Sequence, residues 1–105
     1  MLIKDNLVLT RAEPNGLGGL QFLYRVNDYG VSAVSRPTES MTQIHWEVEV
    51  IKYKDAATLN YEICRATELA KDTLVFHTDG SLNEFLEKAC GYFNEISLLE
   101  DMLEK

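Results

Sequence analysis

His45, Glu47 and Glu49 occupy every second position of an alternating stretch, which sets one imidazole and two carboxylates on a single strand face. Such a line could hold a divalent metal or act as an acid–base pair, and His77 could add a fourth group if its strand lies alongside. A solvated sheet face is the stronger account, because polar residues alternating outward are what a one-sided sheet requires. No metal or other cofactor is therefore expected. Cys64 and Cys90 have no C-x-x-C and no His at zinc or catalytic spacing, so they read as reduced, mostly buried thiols, with a disulfide as the alternative. No G-x-S-x-G or H-E-x-x-H is present. Gly16, Gly18 and Gly19 fit neither G-x-G-x-x-G nor a P-loop, and a hairpin turn explains them better than an anion cradle does.

Charge narrows the partners. The chain of 105 residues carries 17 acidic and 10 basic residues, a formal net charge of -7. Its basic residues are scattered from Lys4 to Lys105 without forming a run. Nucleic acid and anionic membrane both demand local positive charge, so neither is an expected partner. A basic protein suits this balance better. The aromatic residues could in principle stack bases, but the basic groove is missing, so they are assigned to core packing with Tyr29 and Tyr53 as the exposed pair.

The elements that must position these groups follow from periodicity. Length predicts one domain over 1–105, and the 46% apolar and 26% charged fractions are those of a folded protein. Met1 to Asp5 meets charge at once and offers no leader-like apolar region, so the cytoplasm is the expected compartment. Residues 2–12 read as a strand ended by Glu13-Pro14-Asn15-Gly16. Leu20, Phe22, Tyr24 and Val26 alternate as a second strand, Asn27-Asp28-Tyr29-Gly30 as a turn, 31–35 as a third strand and 36–40 as a loop. The clearest strand is 42–53, with Ile44, Trp46, Val48 and Val50 inward and Gln43, His45, Glu47 and Glu49 in water. Residues 56–71 fit a helix slightly better than a strand, with Asp55 as N-cap. A strand at 73–78 ends at Asp79-Gly80.

The last element is a helix over 81–104, opened by a Ser81/Glu84 capping box. Leu82, Phe85, Leu86, Ala89, Phe93, Ile96, Leu99 and Leu103 form its stripe, which is expected to pack on the sheet. At ~1.5 Å per residue it spans ~36 Å, as long as a compact domain of this size is wide (about 35 Å). It must cross the body, overhang it or bend, with Gly91 as the place for a bend. At 100° per residue, Gly91, Leu98 and Met102 fall opposite the stripe, while Glu100 and Glu104 interrupt the stripe itself. The last two turns thus show apolar surface on two sides.

The expected fold is α+β: an antiparallel sheet of about five or six strands, packed on one face by the 81–104 helix. If 56–71 is a strand, the order of strands followed by one long helix resembles the pleckstrin-homology plan in topology alone. The acidic balance argues against the phosphoinositide binding that such a plan would suggest. The leading functional expectation is a non-catalytic protein–protein interaction module of the adaptor, chaperone or neutralising type. It would contact a protein partner or a second copy through Gly91, Leu98 and Met102. A small-ligand binder with a cavity between helix and sheet is the alternative. A metal-dependent enzyme using His45, Glu47, Glu49 and His77 comes last.

Overall fold

The computed structural model describes residues 2–14, 18–37 and 44–103. Asn15, Gly16, the 38–40 part of the predicted loop, Gln43, Glu104 and Lys105 lie outside the described residues. The fold is α+β, as the periodicity predicts. Six antiparallel strands form one sheet: β1 (Leu7–Ala12), β2 (Leu20–Val26), β3 (Tyr29–Pro37), β4 (Ile44–Tyr53), β5 (Tyr61–Ile63) and β6 (Leu74–Phe76). One helix, α1 (Asp79–Leu103), follows. Strands β1 to β4 lie in chain order. The far edge of β4 is shared, with β6 on Trp46–Val48 and β5 on Ile51–Tyr53.

Register puts the alternating residues on two faces. Tyr24 opposes Val31, Val31 opposes Val50, and Ala33 opposes Val48, so these side chains line one surface together. Helix α1 lies on that surface with Leu82, Leu86, Ala89 and Phe93 at 0–1% exposure, joined by Tyr29, Trp46 and Ala70. Burying each large apolar side chain contributes about 1.5–3 kcal/mol, enough to make this seam the main source of stability.

The second face departs from the expectation of a wet surface. Leu23, Ile51 and Tyr53 are buried there, with Leu9, Leu59 and Tyr61 packed against them. Tyr53 and Tyr29, expected to be exposed, are both buried. The Tyr53 hydroxyl donates to the Tyr24 carbonyl (3.0 Å), and Arg25 lies 4.4 Å over its ring. Gly30 makes room for that ring, since a Cβ there would collide with the Tyr24 carbonyl and the Tyr53 side chain. Tyr29 stacks on Phe93 with centroids 5.7 Å apart, and its hydroxyl donates to Glu100 Oε1 (2.8 Å).

Three local expectations are corrected. The helix favoured for 56–71 does not form. The free edge of β4 needs hydrogen-bond partners, and Cys64 N donates to Val50 O (2.8 Å) while Ile63 pairs with Ile51. Asp55 does cap, but it caps a turn: it accepts from Ala57 N, Thr58 N and the Thr58 hydroxyl. The cap of α1 is Thr78 instead of Ser81. Thr78 Oγ1 accepts from Ser81 N (3.1 Å) and Thr78 O from Leu82 N (3.2 Å), which draws Asp79 and Gly80 into the first turn. Between β2 and β3 the turn is only Asn27-Asp28, with Asn27 in the left-handed region at φ 57° that asparagine tolerates.

Candidate functional site

From Leu82 to Phe93 the apolar side of α1 packs directly on the sheet residues of the core. The stripe of α1, however, outruns the sheet. Leu98 is 64% exposed, Leu99 57%, Met102 72% and Leu103 86%. Leu99 and Leu103 belong to the stripe that was expected to pack on the sheet, and they do not. The last large stripe residue with a packing partner is Ile96. Beyond it Glu100 reaches back to Tyr29, which explains the carboxylate that interrupts the stripe. Together the four exposed residues make an apolar arc across two turns. Gly91 is exposed on the same line as Leu98 and Met102, and a Cβ placed there would meet nothing within 4 Å. The helix runs through it without interruption.

The line of His45, Glu47 and Glu49 lies on the opposite face of the sheet. As its strand assignment predicts, His77 follows β6 and stands beside β4, with its ring centroid 6.3 Å from that of His45. The carboxylates are occupied by neighbours. Glu47 is 3.3 Å from Arg36 Nε and 3.4 Å from His45 Nε2. Glu49 is 3.4 Å from Arg65 Nη2 and accepts from the Thr73 hydroxyl. Among the described residues, no three His, Cys, Asp or Glu side chains stand where they could hold one metal ion. Cys64 and Cys90 are free and half-buried. Burial pushes the Cys90 thiol above its ordinary range, partly offset by Asn6 Nδ2 at 3.4 Å from the sulfur.

What the sequence reading missed is a polar cluster around a hollow of about 260 Å³ on this outer face, with Glu13, Gln21, Ser32, Arg36, Glu49 and Tyr61 in its wall. The Glu13 side chain is only 2% exposed and sits 3.3 Å from Arg36 Nη1, which also donates to Gly18 O (3.1 Å). An ion pair this buried adds little net stability, because desolvation of both charges offsets their attraction. Gln21 and Ser32 are buried too. The available signal was a glutamine set between Leu20 and Phe22.

Two further hollows open at the sheet's ends. One of about 700 Å³ runs between the overhanging helix (Ser97, Glu100, Asp101) and the Asn27-Asp28 turn. An apolar one of about 280 Å³ lies between Leu2, Ile3, Leu7, Phe22 and Trp46. No helix among the described residues is long and apolar enough to cross a membrane. Compared with protein-family models, curated proteins and solved structures, the chain finds no match.

Proposed function

We propose that this chain is a non-catalytic interaction module whose C-terminal helix end docks a protein partner. The observation that supports this is the apolar arc of Leu98, Leu99, Met102 and Leu103, each more than half exposed. Covering these side chains would contribute about 1.5–3 kcal/mol apiece, a strong drive toward association. The rim gives the partner its chemistry. Glu95, Glu100 and Asp101 lie around the arc, and no Lys or Arg occurs from Gly91 to Leu103. The occupant is therefore an apolar groove edged with basic residues. A second copy fits less well, since a two-fold contact would set Glu95 and Asp101 against their own counterparts on a chain of net charge -7. The two free thiols suit a reducing compartment, and we place the protein in the cytoplasm.

The test is a photo-crosslinker at Leu99 in the full chain, followed by identification of the adduct and purification of the pair. The expected result is one basic partner, lost with Leu98→Glu plus Met102→Glu, and bound more weakly as salt rises. A monomer that crosslinks to nothing, or a partner indifferent to the double variant, refutes the proposal. Light scattering that shows a dimer broken by the same variant assigns the arc to a second copy instead.

A further inference from the structure

The apolar hollow at the start of α1 is separate from the helix end, and three parts of the chain build its wall. Leu2, Ile3 and Lys4 form one side, Leu7 of β1 and Phe22 of β2 another, and Trp46 with Asp79 the third. Phe22 meets Trp46 edge to face with ring centroids 5.5 Å apart, so the wall offers aromatic carbon for a further apolar group to pack on. The N-terminal side is pinned in place. Ile3 N donates to Asn83 Oδ1 (2.9 Å) on α1, the Tyr24 hydroxyl donates to Ile3 O (2.8 Å), and Leu7 N donates to Lys4 O (3.1 Å). These three bonds fix the spacing of that backbone from the sheet, so the space is formed before any ligand arrives.

The lining sets the class of ligand. Among the described residues of the wall, only Lys4 and Asp79 carry polar side chains, one of each sign. Asp79 Oδ1 already accepts from the Trp46 indole N–H (2.9 Å), and Asp79 has a further partner. A cation therefore finds an occupied carboxylate, and an anion meets Asp79 as well as Lys4. Water fares no better, because a buried water needs roughly two to four polar partners and this wall supplies few. An apolar group that displaces such poorly held water gains affinity. Size follows from volume. An apolar cavity of about 150 Å³ is enough for a benzene ring. At about 280 Å³ this hollow also has room for a short substituent on the ring.

We propose that this hollow binds a small neutral apolar molecule, a single ring with a short substituent or an alkyl chain of about six carbons. The ligand lies between Ile3, Leu7, Phe22 and Trp46, and any polar end faces water beside Lys4.

Trp46 is the chain's one tryptophan, so its emission reports on the wall directly. The full chain is titrated with hexanol, benzyl alcohol, hexanoate, hexylammonium and ethylene glycol, read by Trp46 fluorescence and backbone amide NMR shifts. Both neutral apolar probes should saturate with half-points at about 1 mM or below and shift Ile3, Leu7, Phe22 and Trp46 together. The two charged probes should bind at least about fivefold more weakly, and ethylene glycol not at all. Leu7→Phe, which pushes a larger side chain into the space, should weaken hexanol about tenfold. Asn83→Ala, which unpins the wall, should weaken it about threefold and keeps the test open if Leu7→Phe does not fold. No saturable change with either neutral probe overturns the proposal, as do charged probes that bind equally well, or binding that both folded variants leave unchanged. Shifts confined to Leu98–Leu103 overturn it too, since the probes would then be held by the helix end alone. Binding seen only in a chain begun at Leu2 assigns the hollow to the side chain of Met1, which lies outside the described residues, and likewise overturns it.

Discussion

The two ends of helix α1 carry the same amphipathic pattern and meet different surroundings. From Leu82 to Phe93 the apolar positions are sealed against Tyr24, Tyr29, Val31, Val48 and their neighbours, whereas from Leu98 to Leu103 equally apolar residues face outward. The change falls where the sheet ends. The β2–β3 hairpin turns back at Asn27-Asp28, and Tyr29, just past the turn, stacks on Phe93 and hydrogen-bonds Glu100 as the last contact the sheet can offer. An apolar stripe thus states which side of a helix will be buried. How far the burial extends is set by the length of the surface it lies on.

That contrast can be broken most directly by truncation. Phe93→Ala should cost about 3–5 kcal/mol and Leu86→Ala about 2–5 kcal/mol in urea unfolding, because each leaves a cavity in the seam. Leu103→Ala should stay within about 0.5 kcal/mol of the parent. A Leu103→Ala penalty equal to that of Leu86→Ala would mean that the helix end is covered in solution by another molecule.

The latch between the two ends is the next largest effect. Tyr29→Phe removes the hydroxyl bonded to Glu100 and should cost on the order of 1 kcal/mol at neutral pH. It should also alter the alkaline limb. Burial first, then the Glu100 hydrogen bond, pushes the Tyr29 phenol from 10.0 up to about 12. Burial also takes Tyr24 and Tyr53 to about 12. Each folded-state pKa is raised, so the stabilisation is fully present below pH 10 and is lost as pH climbs through about 12. A pH series of unfolding curves should show the steepest loss in that window and a shallower one for Tyr29→Phe. An unchanged alkaline slope would show that the latch does not form.

Gly91 tests the boundary between the ends. Gly91→Ala should stabilise the helix by about 0.5–1 kcal/mol, since the site is exposed and nothing opposes the added methyl group. A loss of stability there would reveal a neighbour packed against that line. Smallest of all in the isolated chain is Leu98→Glu with Met102→Glu, expected within about 0.5 kcal/mol per site while abolishing partner binding. Strong destabilisation of the monomer would place these residues in the protein's own core.

The two faces of the sheet show where sequence is legible and where it fails. Alternation in β4 correctly put Trp46, Val48 and Val50 inward and His45, Glu47 and Glu49 on the other side, because a strand's side-chain period is fixed by backbone geometry. The same alternation says nothing about what covers the second side. Tyr53 and Ile51 sit on it and are buried where Leu9 and Leu23 reach them from distant strands and Leu59 and Tyr61 from the segment that follows β4. Residues 56–71 misled for a related reason. Alanines and glutamates favour a helix locally, but the unpaired edge of β4 recruits Tyr61–Ile63 into the sheet, and tertiary pairing overrides weak propensity. The Gln21 cluster was hidden because its members lie on separate strands, and no spacing rule links position 13 to position 36.

By itself, then, the sequence determined the α+β class, the alternating strands, the long amphipathic helix and the apolar residues on two sides of its end. These depend on periodicity and turn chemistry, which act between near neighbours in the chain. Only the tertiary structure decided that Thr78 begins the helix, that the helix outruns its sheet after Ile96, and that Gln21, Ser32, Arg36 and Tyr61 close around one hollow. Such outcomes depend on contacts between residues far apart in sequence, and their geometry exists only once the strands have found their register.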